Sequence, residues 1–279
     1  MPKPRSLIFF VALTLLAGTF LGLLYANLHV RRPPPPSAAW SPPDKPVRFV
    51  SYNILHNQRG IARVIDEIGK LDPDFVLLQE VERSDVTQMS QTLGRFPAIY
   101  HASENLAGAH ASWGNAILSR HPLYDAGSIP NPGGGSFGVW ATAVIDNKKF
   151  VVADVHLSAT WNANPAHLIE SSNNRWKELS NLVAAWQAAG SPPIVIGGDF
   201  NQLAIHNNYA LMTKDWTDAL AASGKDQTTF TAGLLKTRID YFLISKDWNP
   251  LAAEVVDSDA SDHKPIWLQA GPSSNQTKP

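Results

Sequence analysis

Two hydrophobic periods alternate along the chain and lay out its elements. Val47 to Leu55 reads as a strand with Asn53 near its end. Ile61, Val64, Ile65, Ile68 and Leu71 recur at helical spacing, and Asp72-Pro73-Asp74 stops that helix. Phe75 to Leu78 reads as a buried strand with Gln79-Glu80 at its end. The same order returns later. Phe150 to Val155 is a strand running into His156. Ala166 to Ala189 is a long helix with Leu168, Leu179, Leu182, Val183 and Trp186 as inward positions. Ile194-Val195-Ile196, after Pro192-Pro193, is a short buried strand. Gly197-Gly198 then reads as a tight turn, and Asp199 and Asn201, two residues apart in extended chain, point to one side. Two strand–helix–strand units with polar groups at their strand ends suggest a duplicated architecture.

Further strands are expected at Gly114–Arg120, Arg238–Ile244 and Ile266–Leu268. Val139–Ile145 and Lys149–Val152 form a hairpin closed at Asp146-Asn147, Asn131 to Gly135 is a flexible loop, and residues 271–279 are a loose tail. The globular domain is placed at residues 47–270.

Ahead of it the pattern changes. After a short flank, residues 1–6, the stretch Leu7 to Leu28 has no charged residue. Its 22 residues would span about 33 Å as a helix, enough for a hydrocarbon core. No good small-x-small cleavage site follows, so an uncleaved signal anchor is expected, with the rest of the chain outside the cytoplasm. Residues 29–46, with Pro33 to Pro36, Pro42, Pro43 and Pro46, read as a stiff spacer holding the domain off the bilayer.

Composition narrows the chemistry. A net charge of −1 gives no basic surplus to hold a polyanion by charge alone. Cysteine is absent, which removes disulfides, thiolate metal sites and a cysteine nucleophile. No Gly-x-Ser-x-Gly elbow and no His-Glu-x-x-His occurs, which argues against an acyl-serine hydrolase and a zincin protease.

What the strand ends carry is oxygen and imidazole: Asn53, Glu80, His156, Asp199 with Asn201, Asp240, and Asp262 with His263. Open α/β sheets place ligands there. Hard oxygen donors suit Mg²⁺ or Mn²⁺. Histidines can move protons, and an aspartate beside one can fix its tautomer. Each group has a plainer alternative. Glu80 can be a solvated charge, His156 a satisfied core imidazole, Asp240 a salt-bridge partner of Arg238, and Asp262-His263 a turn before Pro265. Their recurrence at strand ends favours a shared site. His56, His101, His110, His121, His167 and His206 lack such context and read as surface or loop residues.

Ser51-Tyr52-Asn53, Leu78-Gln79-Glu80, Asp154-Val155-His156-Leu157, Gly197-Gly198-Asp199-Phe200-Asn201, Arg238-Ile239-Asp240-Tyr241 and Ser261-Asp262-His263 occur in this order. Over about Val47 to Leu268 the chain thereby resembles the endonuclease/exonuclease/phosphatase superfamily. The resemblance implies an α/β fold, a four-layered α/β/β/α sandwich (DNase I-like), here preceded by one transmembrane helix. It implies Mg²⁺ on Glu80 with Asn53 and Asp262 beside it, and Asp199 with Asn201 positioning the attacking water. It also implies His263 on the scissile phosphate, held by Asp240, and His156 binding phosphate near the leaving group. Abasic-site endonucleases carry an aspartate where Leu55 stands, so a repair role is not carried over. The expectation is a membrane-anchored, monomeric phosphoesterase whose substrate is a lipid head group or nucleic acid, with the anchor favouring a membrane-proximal one. A released nonspecific nuclease and a non-catalytic binding module on the same fold are the alternatives.

Overall fold

The computed structural model describes residues 34–35, 37–94, 96–102, 113–131, 136–160, 164–204 and 207–273, with backbone only at 96–102. The expected anchor Leu7 to Leu28 and residues 274–279 lie outside the described residues. Among those described, no helix is long and apolar enough to cross a membrane.

The elements in order are β1 (Ala39–Trp40), β2 (Val47–Asn53), α1 (Ile61–Leu71), β3 (Phe75–Glu82), α2 (Arg83–Leu93), β4 (Phe96–Ala102), β5 (Trp113–Ser119), β6 (Leu123–Pro130), β7 (Ser136–Ile145) and β8 (Lys148–His156). Then follow α3 (Pro165–Ala188), β9 (Ile194–Asp199), α4 (Asn207–Asp215), β10 (Trp216–Asp218), α5 (Ala219–Ala222), β11 (Phe230–Ala232), β12 (Leu235–Thr237), β13 (Asp240–Ser245), β14 (Trp248–Val255) and β15 (Ile266–Pro272). One sheet runs β10-β13-β9-β8-β7-β6, with β1 on β8; the other runs β14-β15-β2-β3-β5-β4. Each contains one parallel pair joined through a helix, β2-α1-β3 and β8-α3-β9. The two strand–helix–strand units are therefore equivalent, one per sheet.

The strands are apolar on both faces because both faces are covered. In β2, Val47 and Phe49 face the other sheet, while Val50 and Tyr52 face helices. Between the sheets lie Phe49, Phe75, Phe150, Val195 and Phe242, with the Phe49 and Phe75 rings stacked 5.2 Å apart. Outside one sheet, Val64, Ile68 and Met89 of α1 and α2 pack on Val76 and Leu78. Outside the other, Leu179 and Met212 of α3 and α4 pack on Ala153 and Ile196. The result is helix, sheet, sheet, helix.

Four expectations need correction. Leu168 is 44% exposed, because the first turns of α3 overhang a cleft instead of the sheet. Gly197 and Gly198 do not turn the chain; both lie inside β9. At Gly198, φ is +151° and an added Cβ would sit 2.0 Å from the Val155 carbonyl oxygen. At Gly197 it would meet the Phe242 ring at 2.7 Å. These glycines allow β8, β9 and β13 to approach closely. The spacer is not free over its second half: Ala38, Pro42 and Pro43 are buried, and Ala39 and Trp40 pair with Lys148 and Lys149. Finally, β15 continues beyond Gly271 to Pro272, which pairs with Trp248.

Gly198→Ala should cost about 3 kcal/mol of stability through overpacking and backbone strain. Urea denaturation of the variant measures it, and an unshifted midpoint would show that β8 and β9 can separate freely.

Candidate active site

The two parallel pairs end at the same edge of the sandwich, and that edge is where the polar residues meet. β2 ends at Asn53, which is fully buried. Its carboxamide donates to Glu80 Oε1 at 3.0 Å and to Asp199 Oδ2 at 3.2 Å, so one side chain bridges the two sheets. Its oxygen accepts from the Leu55 amide at 3.1 Å.

Glu80 stands at a register shift in β3 with φ +52°. A left-handed non-glycine residue at a bulge is strained, and the bulge re-aims its side chain. The carboxylate is thereby turned to Asn53, to His56 Nε2 at 2.8 Å and towards His156 Nε2 at 3.9 Å. Burial alone would raise its pKa, but the bond from His56, the charge of His156 and the bond from Asn53 hold it at about 2.

Asp199 closes β9 and is 1% exposed. Oδ1 accepts the Asn201 amide at 2.8 Å. Oδ2 faces three nitrogens: Asn53 Nδ2, His263 Nε2 at 3.5 Å and His156 Nε2 at 3.7 Å. Burial raises its pKa to about 6 against the pull of His263. His263 is held from behind, its Nδ1 lying 3.0 and 3.1 Å from the two Asp240 oxygens. Burial works against the imidazolium, yet the charges of Asp240 and Asp199 lift His263 to about 10. At neutral pH His263 is thus an imidazolium set between Asp199 and Asp240. The Phe230 ring covers the imidazole at 4.7 Å.

Under the site runs a second polar layer. Gln79 and Asn115 donate to the two oxygens of Asp154, and Gln79 also reaches Ser51. Burial drives the Asp154 carboxyl well above the ordinary range.

Asn53, Glu80, His156, Asp199, Asp240 and His263 thus come together. Two expected members are placed differently. Asn201 has φ +48°, not an extended conformation, and its carboxamide donates to the Leu157 carbonyl at 3.1 Å. It ties the β9 end to the chain after His156 and secures Asp199 through its backbone. The Asp262 carboxylate accepts the Ser261 hydroxyl at 3.2 Å; its charge acts on His263. Arg238 pairs with Asp218 at 2.8 Å, leaving Asp240 to His263. His56, read from sequence as a surface residue, is a site residue. Its place three residues beyond Asn53, ahead of the Asn57–Gly60 turn, is the signal that could have found it.

Among the described residues, Asp199, Asp240 and His263 form the group whose ligand atoms come within 4.8 Å of one another. The His263 imidazolium already stands between those two carboxylates. Glu80 lies outside that group and is held ionised beside it, so a hard cation fits there best, with oxygen donors as its chemistry requires. Asn53 turns its NH₂, not its oxygen, to the carboxylates.

From Glu80 and His156 opens a cleft of about 270 Å³, bounded by Trp113, Ser158 and the first turns of α3. The chain behind His156 is clamped by α3. Glu178, buried, accepts the Ser158 amide and hydroxyl and the Asn131 amide; Arg175 donates to the Ser158 carbonyl and Thr160 hydroxyl.

The Endonuclease/Exonuclease/phosphatase family model matches residues 50–263. No curated protein sequence gives a match. The human nocturnin catalytic domain, solved with a bound sulfate anion, is 19% identical, covering 87% of this chain and 99% of its own, with a TM-score of 0.66. D. rerio TDP2 in complex with a single-strand DNA product is 17% identical, covering 82% and 100%, at 0.64. A Bacteroides thetaiotaomicron mannosyl-6-phosphatase is 15% identical, covering 80% and 99%, at 0.64. At these identities the likeness is one of fold.

The His263 pKa is raised from 6.5 to about 10. The folded state therefore favours the proton, and the stability this gives is complete below pH 6.5 and lost as pH rises through 10. Unfolding free energy should fall across that window, and Asp240→Asn should flatten the fall. Denaturation at a series of pH values checks this; the same slope in both proteins would contradict the pairing.

Proposed function

The chain belongs to the endonuclease/exonuclease/phosphatase family and is a hydrolase of phosphoric esters, and on that premise we propose a divalent-cation-dependent esterase using in-line attack by water. The observation that carries the reading is the convergence of three nitrogens on Asp199 Oδ2 beside the Glu80 carboxylate.

A bound Mg²⁺ or Mn²⁺ would be held on Glu80 and would supply charge neutralisation at the phosphoryl oxygens. The chain's own groups do the rest. Asp199, with a pKa of about 6, is ionised at neutral pH yet basic enough to accept a proton from water. The water oxygen bonds to phosphorus, and the bond to the leaving oxygen breaks with its electron pair going to that oxygen. His263, protonated and fixed by Asp240, presents Nε2–H to a phosphoryl oxygen. His156, with a side chain 21% exposed at the cleft, holds the phosphate and stands nearest the leaving group. Asn201 positions Asp199 and the His156 segment instead of touching the reacting atoms.

The reading includes an N-terminal anchor, Leu7 to Leu28, with the domain outside the cytoplasm and monomeric. The fold argues for a substrate away from the tethering bilayer. The chain enters the domain beside Lys148 and Lys149 at the start of β8, whereas His156 ends it. Seven residue steps of strand lead from Lys149 to His156, about 23 Å.

With Mg²⁺ present the protein should hydrolyse bis-p-nitrophenyl phosphate, and chelation should abolish turnover. Asp199→Asn and His263→Ala should each lower kcat by about 10³-fold. Variants as active as the parent would remove the mechanism. Carbonate extraction of membranes should leave the full chain in the pellet, and a chain lacking residues 1–33 in the supernatant; full-length protein released by carbonate would rule out the anchor.

A further inference from the structure

The cleft beside His156 is walled largely by polar residues, with Phe137, Leu157 and Ala159 among them. His167, Glu170 and Asn174 lie at three- and four-residue spacing on one face of α3, and all line the cleft. A helix face turned towards protein at this position would be apolar; this one is polar. Trp113 forms part of the opposite wall, with Asn131 and Ser136 near it. The side chain of Glu170 is 71% exposed, with His167 Nδ1 3.9 Å away.

Among the described residues, no lysine or arginine lines this cleft. The sequence withholds them over long stretches: residues 101–119, 121–147 and 150–174 contain neither. The next cation along α3, Arg175, is 7% exposed and spends its guanidinium on Ser158, Thr160 and Gln202. A second phosphate entering here, beyond the one at the Glu80 cation, would meet the Glu170 carboxylate with no lysine or arginine among the described lining residues to balance it, which is costly. A neutral hydroxyl-rich group would instead find acceptors and donors on Glu170, Asn174 and His167, with the Trp113 ring as an apolar wall. A lone trimethylammonium would want a cage of aromatic faces, and among the described residues the cleft offers Trp113 and Phe137. About 270 Å³ is small for a ligand site and suits a single ring.

We propose that this cleft receives the leaving group of the substrate, an uncharged sugar or other polyol esterified to the phosphate, and that it rejects polyanions. The proposal rests on the phosphoesterase reading above and names the substrate class of the same site. Asn174 and Glu170 are its specificity-determining residues.

The test compares kcat/KM of the full-length protein, with Mg²⁺, on glucose 6-phosphate and inositol 1-phosphate against inositol 1,4,5-trisphosphate and a short oligonucleotide. The polyol monophosphates should lead by about tenfold or more. Glu170→Lys should narrow or reverse the ratio by bringing a cation to the wall, and Asn174→Ala should raise KM for the polyol esters more than it lowers kcat. Equal or better use of the polyanions, or a ratio indifferent to Glu170→Lys, overturns the proposal. So does hydrolysis of bis-p-nitrophenyl phosphate without turnover of any polyol ester, which leaves the phosphoesterase reading standing. Should bis-p-nitrophenyl phosphate also stay intact, the phosphoesterase mechanism fails, and calorimetric titration with sorbitol 6-phosphate and inositol 1,4,5-trisphosphate decides the cleft alone. Tighter binding of sorbitol 6-phosphate supports the proposal; tighter binding of the trisphosphate refutes it.

Discussion

A carboxylate sealed from water at the seam between two sheets is tolerable only if something balances it. For Asp199 that balance is the His263 imidazolium, which Asp240 holds in place from the other side. Removing His263 would leave two buried carboxylates uncompensated, a larger penalty than the pairing itself contributes. The strand register places them: Asp240 lies opposite Asp199 in the β13–β9 ladder. Asn53 then ties this triad to the second sheet through Glu80, so the charge pattern and the packing of the sandwich depend on each other.

The polar layer beneath the site extends the same logic. Asp154, Gln79, Asn115 and Ser51 come from β8, β3, β5 and β2, and they meet in an otherwise apolar interior. Hydrogen-bonded polar groups there resist a slip of one sheet over the other, because a slip would strand them without partners. Gly197 and Gly198 let the strands come close enough for the contacts to form.

Helix α3 has two jobs along its length. Its later turns, with Leu179 and Leu182, cover a sheet. Its earlier turns leave the sheet and become a wall of the cleft. Between these regions Arg175 and Glu178 grip the segment after His156. The segment that follows His156 is thus set by a buried pair on a helix instead of by a free loop.

Much of this was legible in the residues. The helical period of Ile61 to Leu71 and the apolar runs before Glu80, His156 and Asp199 specify local elements, because burial of one face or both leaves a direct imprint on sequence. The order of the polar groups at the strand ends pointed to one site. Other elements left no clear imprint: α2 buries Asp85 and Ser90, and β6 is half-exposed along most of its length. Three matters were decided only in three dimensions. His56 became a partner of Glu80 because a left-handed turn follows β2. Asn201 turned from the reacting centre to the Leu157 carbonyl for the same kind of reason, a positive φ that spacing cannot reveal. The glycines of β9 proved to be about contact between strands. Periodicity reports which side of an element is covered; which atoms finally touch depends on register, bulges and backbone twist across residues far apart in the chain.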